Sequence, residues 1–144
     1  MRERGESLLE LVVAIALMGA AVVAVMAGLT TTVLMSDRQR KEATAVATVR
    51  NYAEALQNYV ANGHYVACAT TYDVPGFAVP EGFTANVVSG SVQYWTGTLW
   101  LPLCLPDRGL QRVQVSVTST DGRAAQTLDV VLRKPCRIED PPCT

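Results

Sequence analysis

Two patterns of apolar residues divide the chain. From Leu11 to Ser36 there is no charged residue, and apolar side chains occupy every face of the helix this run would form. At ~1.5 Å per helical residue the run is roughly 39 Å long, ample for the ~30 Å hydrocarbon core of a bilayer. Charge returns at Asp37 and the pattern becomes one-sided. Val46, Val49, Ala53, Leu56 and Val60 recur at steps of three and four, while Arg38, Lys41, Glu42, Arg50 and Glu54 avoid that stripe. No proline occurs before Pro75, and Asn62-Gly63 supplies a helix stop. The pattern predicts a helix over 6–62, membrane-spanning as far as 35 and amphipathic over 36–62.

After His64 the period shortens to two. Phe83–Val88 and Val92–Thr96 flank Ser89-Gly90-Ser91 and read as a hairpin. Val113, Val115 and Val117 alternate with Arg112, Gln114, Ser116 and Thr118; Leu128, Val130 and Leu132 alternate with Asp129, Val131 and Arg133. Asp121-Gly122 between them suits a tight turn that needs positive φ. The expected fold class is α+β: a long N-terminal helix packed by its second half on a small antiparallel sheet spanning about 65–134.

Composition changes this picture only modestly. The 144 residues are 49% hydrophobic with ten glycines, which excludes disordered and collagenous chains. Twelve Lys and Arg against thirteen acids give a net charge of −1, so no bulk field recruits a polyanion. Arg2 and Arg4 before the apolar run favour a cytoplasmic N-terminus, whereas Arg38, Arg40 and Lys41 after it argue the other way. Charge alone leaves the orientation open.

Candidate chemistry is sparse. His64 is the only histidine and sits at the helix stop. Serine-nucleophile and phosphate-cradling motifs are absent. Asp73, Glu81, Asp107 and Asp121 lie near Pro or Gly, where turn chemistry and solubility account for them. Tyr94, Trp95 and Trp100 cluster near Pro102 and Pro106, as packing residues or as a partner-binding surface. Cys68, Cys104, Cys136 and Cys143 lack Cys-x-x-Cys spacing, which argues against a zinc site. In a small exported domain they read as two disulfides, each worth about 2–4 kcal/mol. Three pairings are possible; Cys136 with Cys143 and Cys68 with Cys104 is the preferred one. No enzyme, cofactor or metal site is expected.

Glu10 stands at the head of the apolar run. A carboxylate at the centre of a spanning helix costs about 2.5–3.5 kcal/mol, less near its end, and intramembrane acids usually pair. Gly5, four residues, then Glu10 opening a long apolar helix resembles the prepilin motif of type IV pilins and type II secretion pseudopilins. Gly19 also falls where that family often carries a glycine. The resemblance implies that a membrane peptidase cuts after Gly5 and that the amine of the new N-terminal residue, Glu6, is methylated. Glu10, the fifth mature residue, would then neutralise the amine of a neighbouring subunit. It further implies a leader 1–5, an assembly helix 6–35 and an extracytoplasmic head 36–144. The Cys136–Cys143 pairing would resemble the C-terminal disulfide loop of pilins.

Glu6 stands where the family usually has Phe, and Ala27-Gly28 replace the helix-interrupting proline of major pilins. Both departures fit a minor pilin or pseudopilin. The expected partners are other pilin subunits, the prepilin peptidase, a membrane assembly platform and the lipid bilayer. The chain would start in the cell membrane, N-terminus cytoplasmic, and end in an extracellular filament. One rival is a DNA-uptake pilin, although Arg133-Lys134 and Arg137 are the only basic tail cluster and Glu139-Asp140 follow at once. Another is a single-pass membrane protein with an unrelated secreted binding domain. A cleavable signal peptide ending at Val25-Met26-Ala27 is opposed by Glu10 and by a run that continues to Leu34. The small-residue row Ala16, Ala20, Ala24 and Gly28 would let spanning helices approach closely.

Overall fold

The structure, a computed structural model, describes residues 6–105 and 107–136, apart from the side chains of residues 6, 7 and 30. Helix α1 runs Glu6–Tyr59, and five strands follow: β1 Phe83–Val87, β2 Gln93–Trp95, β3 Trp100–Leu101, β4 Leu110–Ser119 and β5 Ala125–Arg133. The chain divides into two compact units between Gln39 and Arg40, a few residues past the end of the uncharged run.

In the first unit α1 is long and apolar enough to cross a membrane. Leu8 to Leu29 and Thr31 to Met35 are exposed in the single chain, all the large apolar side chains among them. Its hydroxyls do not interrupt the helix. Thr31 and Thr32 donate to the carbonyls of Ala27 and Gly28, at 3.0 and 2.9 Å. Such back-bonding satisfies each hydroxyl within the helix itself.

The second unit is α+β. The amphipathic part of α1 buries Ala45, Thr48, Val49, Tyr52, Ala53 and Leu56, so the expected stripe is present with Ala45 more deeply buried than Val46. The α-helix stops at Tyr59, three residues earlier than the pattern predicts, and widens into a π-helical turn over Val60–His64. Gly63, at φ 99°, then turns the chain out.

Strand β4 organises the sheet. Gln111, Val113, Val115, Val117 and Ser119 alternate inward and are buried, and the apolar three form the centre of the core with Leu56, Val60 and Leu132. Along one edge β4 pairs with β5 from Leu110–Arg133 to Thr118–Ala125. Gly122 takes φ 69° in the connecting turn, where Asp121-Gly122 was expected to need it. Leu128, predicted to face the core, remains 38% exposed beside Val115, so only Val130 and Leu132 carry the inward face of β5.

The expected hairpin of Phe83–Val88 with Val92–Thr96 does not form. Strands β1 and β2 both lie antiparallel to β4 on its other edge, β1 against Val115–Ser119 and β2 against Gln111–Arg112. They therefore run in the same direction, as one edge strand interrupted at Ser89-Gly90-Ser91. Ser91 N–H closes onto Val88 O at 3.1 Å, with Gly90 at φ 72°. The Ser91 hydroxyl accepts the N–H of Gln114 at 3.1 Å, standing in for a strand carbonyl. Staying on the same edge keeps Val87, Val92 and Tyr94 in the core, which a reversal would forfeit. The sheet starts at Phe83; residues 65–82 form a loop rather than its first strand.

Candidate functional site

The residues of the prepilin-like motif lie at the start of α1. Gly5 is outside the described residues, Glu6 is the first residue of the helix, and Glu10 is exposed in its second turn. Gly19 and Gly28 also have open space where a Cβ would project. A partner helix could therefore come close at either glycine.

In the head, polar chemistry converges on Asp107. The chain returns from α1 through Tyr65 and Cys68, and Cys68 is disulfide-bonded to Cys104 with 5.5 Å between Cα atoms. That bond fixes residues 65–68 against the segment entering β4. Tyr65 hydroxyl donates to Oδ1 of Asp107 at 2.7 Å, and Cys68 N–H donates to Oδ2 at 3.0 Å. Gly109 N–H donates to Oδ1 at 2.8 Å and the Gln111 amide to Oδ2 at 2.7 Å. The same amide also donates to Val66 O at 2.9 Å, and Tyr72 hydroxyl donates to Gln111 Oε1 at 2.8 Å. Gln111 is fully buried, yet every one of its polar positions is used, as the cost of an unmade buried hydrogen bond requires. Among the described residues no buried side-chain polar atom lacks a partner.

The electrostatics follow from this geometry. Burial alone would raise the Asp107 pKa, but donors from Cys68, Tyr65, Gln111 and Gly109 outweigh it and hold the carboxyl below its ordinary value. The Tyr65 phenol is pushed well above its ordinary value, first by burial, then by its bond to Asp107 and that carboxylate's charge. Tyr65 is therefore locked as a donor. Asp107, read from sequence as a turn acid, is a structural hub. Gln111 was missed, although it belongs to the same inward-facing row as Val113 and Val115.

Disulfide chemistry accounts for Cys136 as well, which is bonded; Cys143, its expected partner, lies outside the described residues. His64 is committed to the end of its own helix. Its ring stacks on Tyr59 at 4.0 Å between centroids, and Nδ1 lies 3.0 Å from Tyr59 O. The aromatic cluster expected from sequence is split by the pleat. Tyr94 points into the core, donating to Ala69 O at 2.7 Å. Trp95 and Trp100 pair across β2–β3 with centroids 5.2 Å apart, and Arg112 lies over Trp100 at 5.4 Å while donating to Gln93. Asp121 caps the β4–β5 turn. It accepts from Lys41 at 2.5 Å, from Ser119 hydroxyl at 2.8 Å and from Arg123 N–H at 3.2 Å, and these hold its carboxyl well below the ordinary range. Lys41 thereby ties α1 to the far turn of the sheet. Among the described residues no three of His, Cys, Asp and Glu come together to hold a metal ion. Set against protein-family models, curated proteins and solved structures, the chain matches none of them.

Proposed function

We propose that the chain is a structural subunit of a type IV pilus-like or type II secretion filament, a minor pilin or pseudopilin cut after Gly5. The observation that carries this reading is the helix α1 itself. Among the described residues it carries an uncharged stretch whose large apolar side chains are exposed in the single chain, and it goes on to supply one wall of a head core. A helix with that division has two partners, one of them outside the chain. Spanning helices laid side by side in a filament would cover the exposed half, and Glu10 would meet a neighbour's terminal amine there. The head contributes a body stapled by the Cys68–Cys104 bond, in which hydrogen bonds tie Tyr65 and Gln111 to Asp107.

The test is processing. Coexpressed with a prepilin peptidase, the membrane-bound chain is expected to begin at Glu6 when its N-terminus is read by mass spectrometry. Gly5→Val, which puts a branched side chain at the scissile position, is expected to leave the precursor full length. A mature chain beginning near Ala27 instead would replace this reading with an exported domain behind an ordinary signal peptide.

A further inference from the structure

The outer face of the sheet carries chemistry that the head core does not use. Trp95 and Trp100 stand opposite each other across β2–β3, their rings tilted by 53°. Arg112, the cross-strand partner of Gln93, lays its guanidinium over Trp100 and donates to the Gln93 side chain. On β5 the partner of Arg112 is Val131, 46% exposed, and Arg133 follows two residues on, facing the same way. Diagonal neighbours of this kind lie roughly 7–8 Å apart. Arg133 pairs with Leu110, which Trp95 flanks from β2 by continuing the register of Gln93–Arg112 and Tyr94–Gln111. Arg108 reaches the β2–β3 turn from the loop before β4: a Cβ added to Gly97 would stand 2.9 Å from its Nη1. The fold thus gathers three guanidinium groups around two indoles. Arg108 and Arg133 are exposed, and among the described residues neither has a carboxylate partner.

We propose that this face binds an unpaired nucleic-acid strand, whose bases stack on Trp95 and Trp100 while its phosphates meet Arg108, Arg112 and Arg133. The inference goes beyond the filament reading and holds whether or not the chain enters a filament. A net charge of −1 recruits no polyanion, but a local cluster of cations does. Guanidinium groups only donate, and their planar fork matches phosphate oxygens. The side-chain acceptors beside them are already engaged. Gln93 accepts from Arg112, and Asp129, the only acid in the five strands, accepts from the Gln114 amide at 3.2 Å. A saccharide, which must donate from its hydroxyls, finds little to receive it there. The tilt of the two rings selects the form of the strand. A duplex holds successive bases parallel, whereas an unpaired strand can turn between one indole and the next. Aromatic platforms edged by arginine hold such strands with little regard to sequence.

The experiment uses the full-length chain in nanodiscs of zwitterionic phosphatidylcholine. The probe is an oligothymidylate of about twelve nucleotides, within the ~4–16 that a single small domain covers. Trp95 and Trp100 are the only two tryptophans, so quenching of indole emission reports this face alone. Saturable quenching that weakens with salt is expected. Arg108→Gln with Arg133→Gln should lower affinity about tenfold or more and flatten the log–log salt dependence by about 1.4, at ~0.7 for each phosphate released. Both arginines are exposed, so their replacement leaves the core packing alone. Arg50→Gln with Arg123→Gln, an equal loss of charge elsewhere on the head, should leave both quantities unchanged. Trp100→Leu should cost about tenfold with the salt slope kept, because it removes stacking and no phosphate contact. Absence of quenching, or equal losses in the two arginine pairs, would overturn the proposal. So would a duplex of the same length bound as tightly as the single strand. Heparin, a polyanion without bases, bound as tightly and with the same indole response would overturn it too and give the face to an acidic glycan.

Discussion

The amide of Gln111 donates to Oδ2 of Asp107 at 2.7 Å, and through that bond an otherwise apolar strand is tied to the loop that precedes it. Gln111 occupies an inward position of β4 that Val or Leu would fill without any partner. Its polarity is tolerated because Asp107, Tyr72 and Val66 use all of it. The consequence is a head whose disulfide, loop and sheet share a single carboxylate.

Asp107→Asn should therefore destabilise the head beyond what the loss of one exposed acid would. Asparagine offers one oxygen where four donors converge and places an amide against Gln111, for a cost of about 2–3 kcal/mol. The detergent-solubilised chain should show this as a lower denaturant midpoint with an unchanged slope. The pH dependence has a definite sign. The folded-state pKa of Asp107 lies below its unfolded value, so its contribution is complete above the unfolded carboxyl pKa of about 4 and is lost as pH falls below that. The acid-induced loss should be smaller in Asp107→Asn. An equal loss would place the acid sensitivity elsewhere.

How much of this was legible beforehand depends on the range of each interaction. The strands β4 and β5 could be read from alternation because one face of each meets the core, and the stripe on α1 for the same reason. The Ser89-Gly90-Ser91 segment misled because a turn signal is local, whereas the free edge of β4 that captured both β1 and β2 is not. Asp107 looked like any acid beside a proline. Its partners at 65, 68 and 111 come to it only once the Cys68–Cys104 bond and the return from α1 are in place.

Removing that bond should expose the dependence. Cys68→Ser with Cys104→Ser releases a covalent closure across 36 residues and should cost about 2–4 kcal/mol. Amide exchange at Cys68 and Gly109, both donors to Asp107, should quicken more than at the centre of β4. Uniform acceleration would mean that the bond stabilises the head globally and does not position the carboxylate.

The opposite end of the sheet makes a separate prediction. Asp121 is held by Lys41 and by the turn it caps, so Asp121→Asn should loosen the β4–β5 turn while leaving the Asp107 network intact. Its depressed carboxyl gives the same sign of pH dependence: the contribution is present above about pH 4 and fades as pH falls. The pair is exposed, so added salt should weaken it as well. Amide exchange at Gly122 and Arg123, compared at low and high ionic strength, reads this directly. Insensitivity to both salt and substitution would show that Gly122 alone shapes the turn.

Glu10 carries the most consequential prediction. In the precursor it costs insertion energy, so Glu10→Val should insert into the membrane at least as well as the unaltered chain and should still be cut after Gly5. In a filament, losing Glu10 would strand a neighbour's terminal amine among apolar helices, a cost of about 3–5 kcal/mol and thus a fall of two orders of magnitude or more in incorporation. Glu10→Val should then accumulate as mature protein in the membrane and be missing from sheared filaments. Glu6 complicates the outcome, because after the proposed cut it would bear the mature amine and its carboxylate could compensate in part. The double replacement of Glu6 and Glu10 should accordingly assemble less well than either single one. Normal assembly of Glu10→Val together with failure of Glu6→Phe would reverse the two roles, making Glu6 the residue that neutralises the amine and Glu10 a solvated acid at the membrane surface.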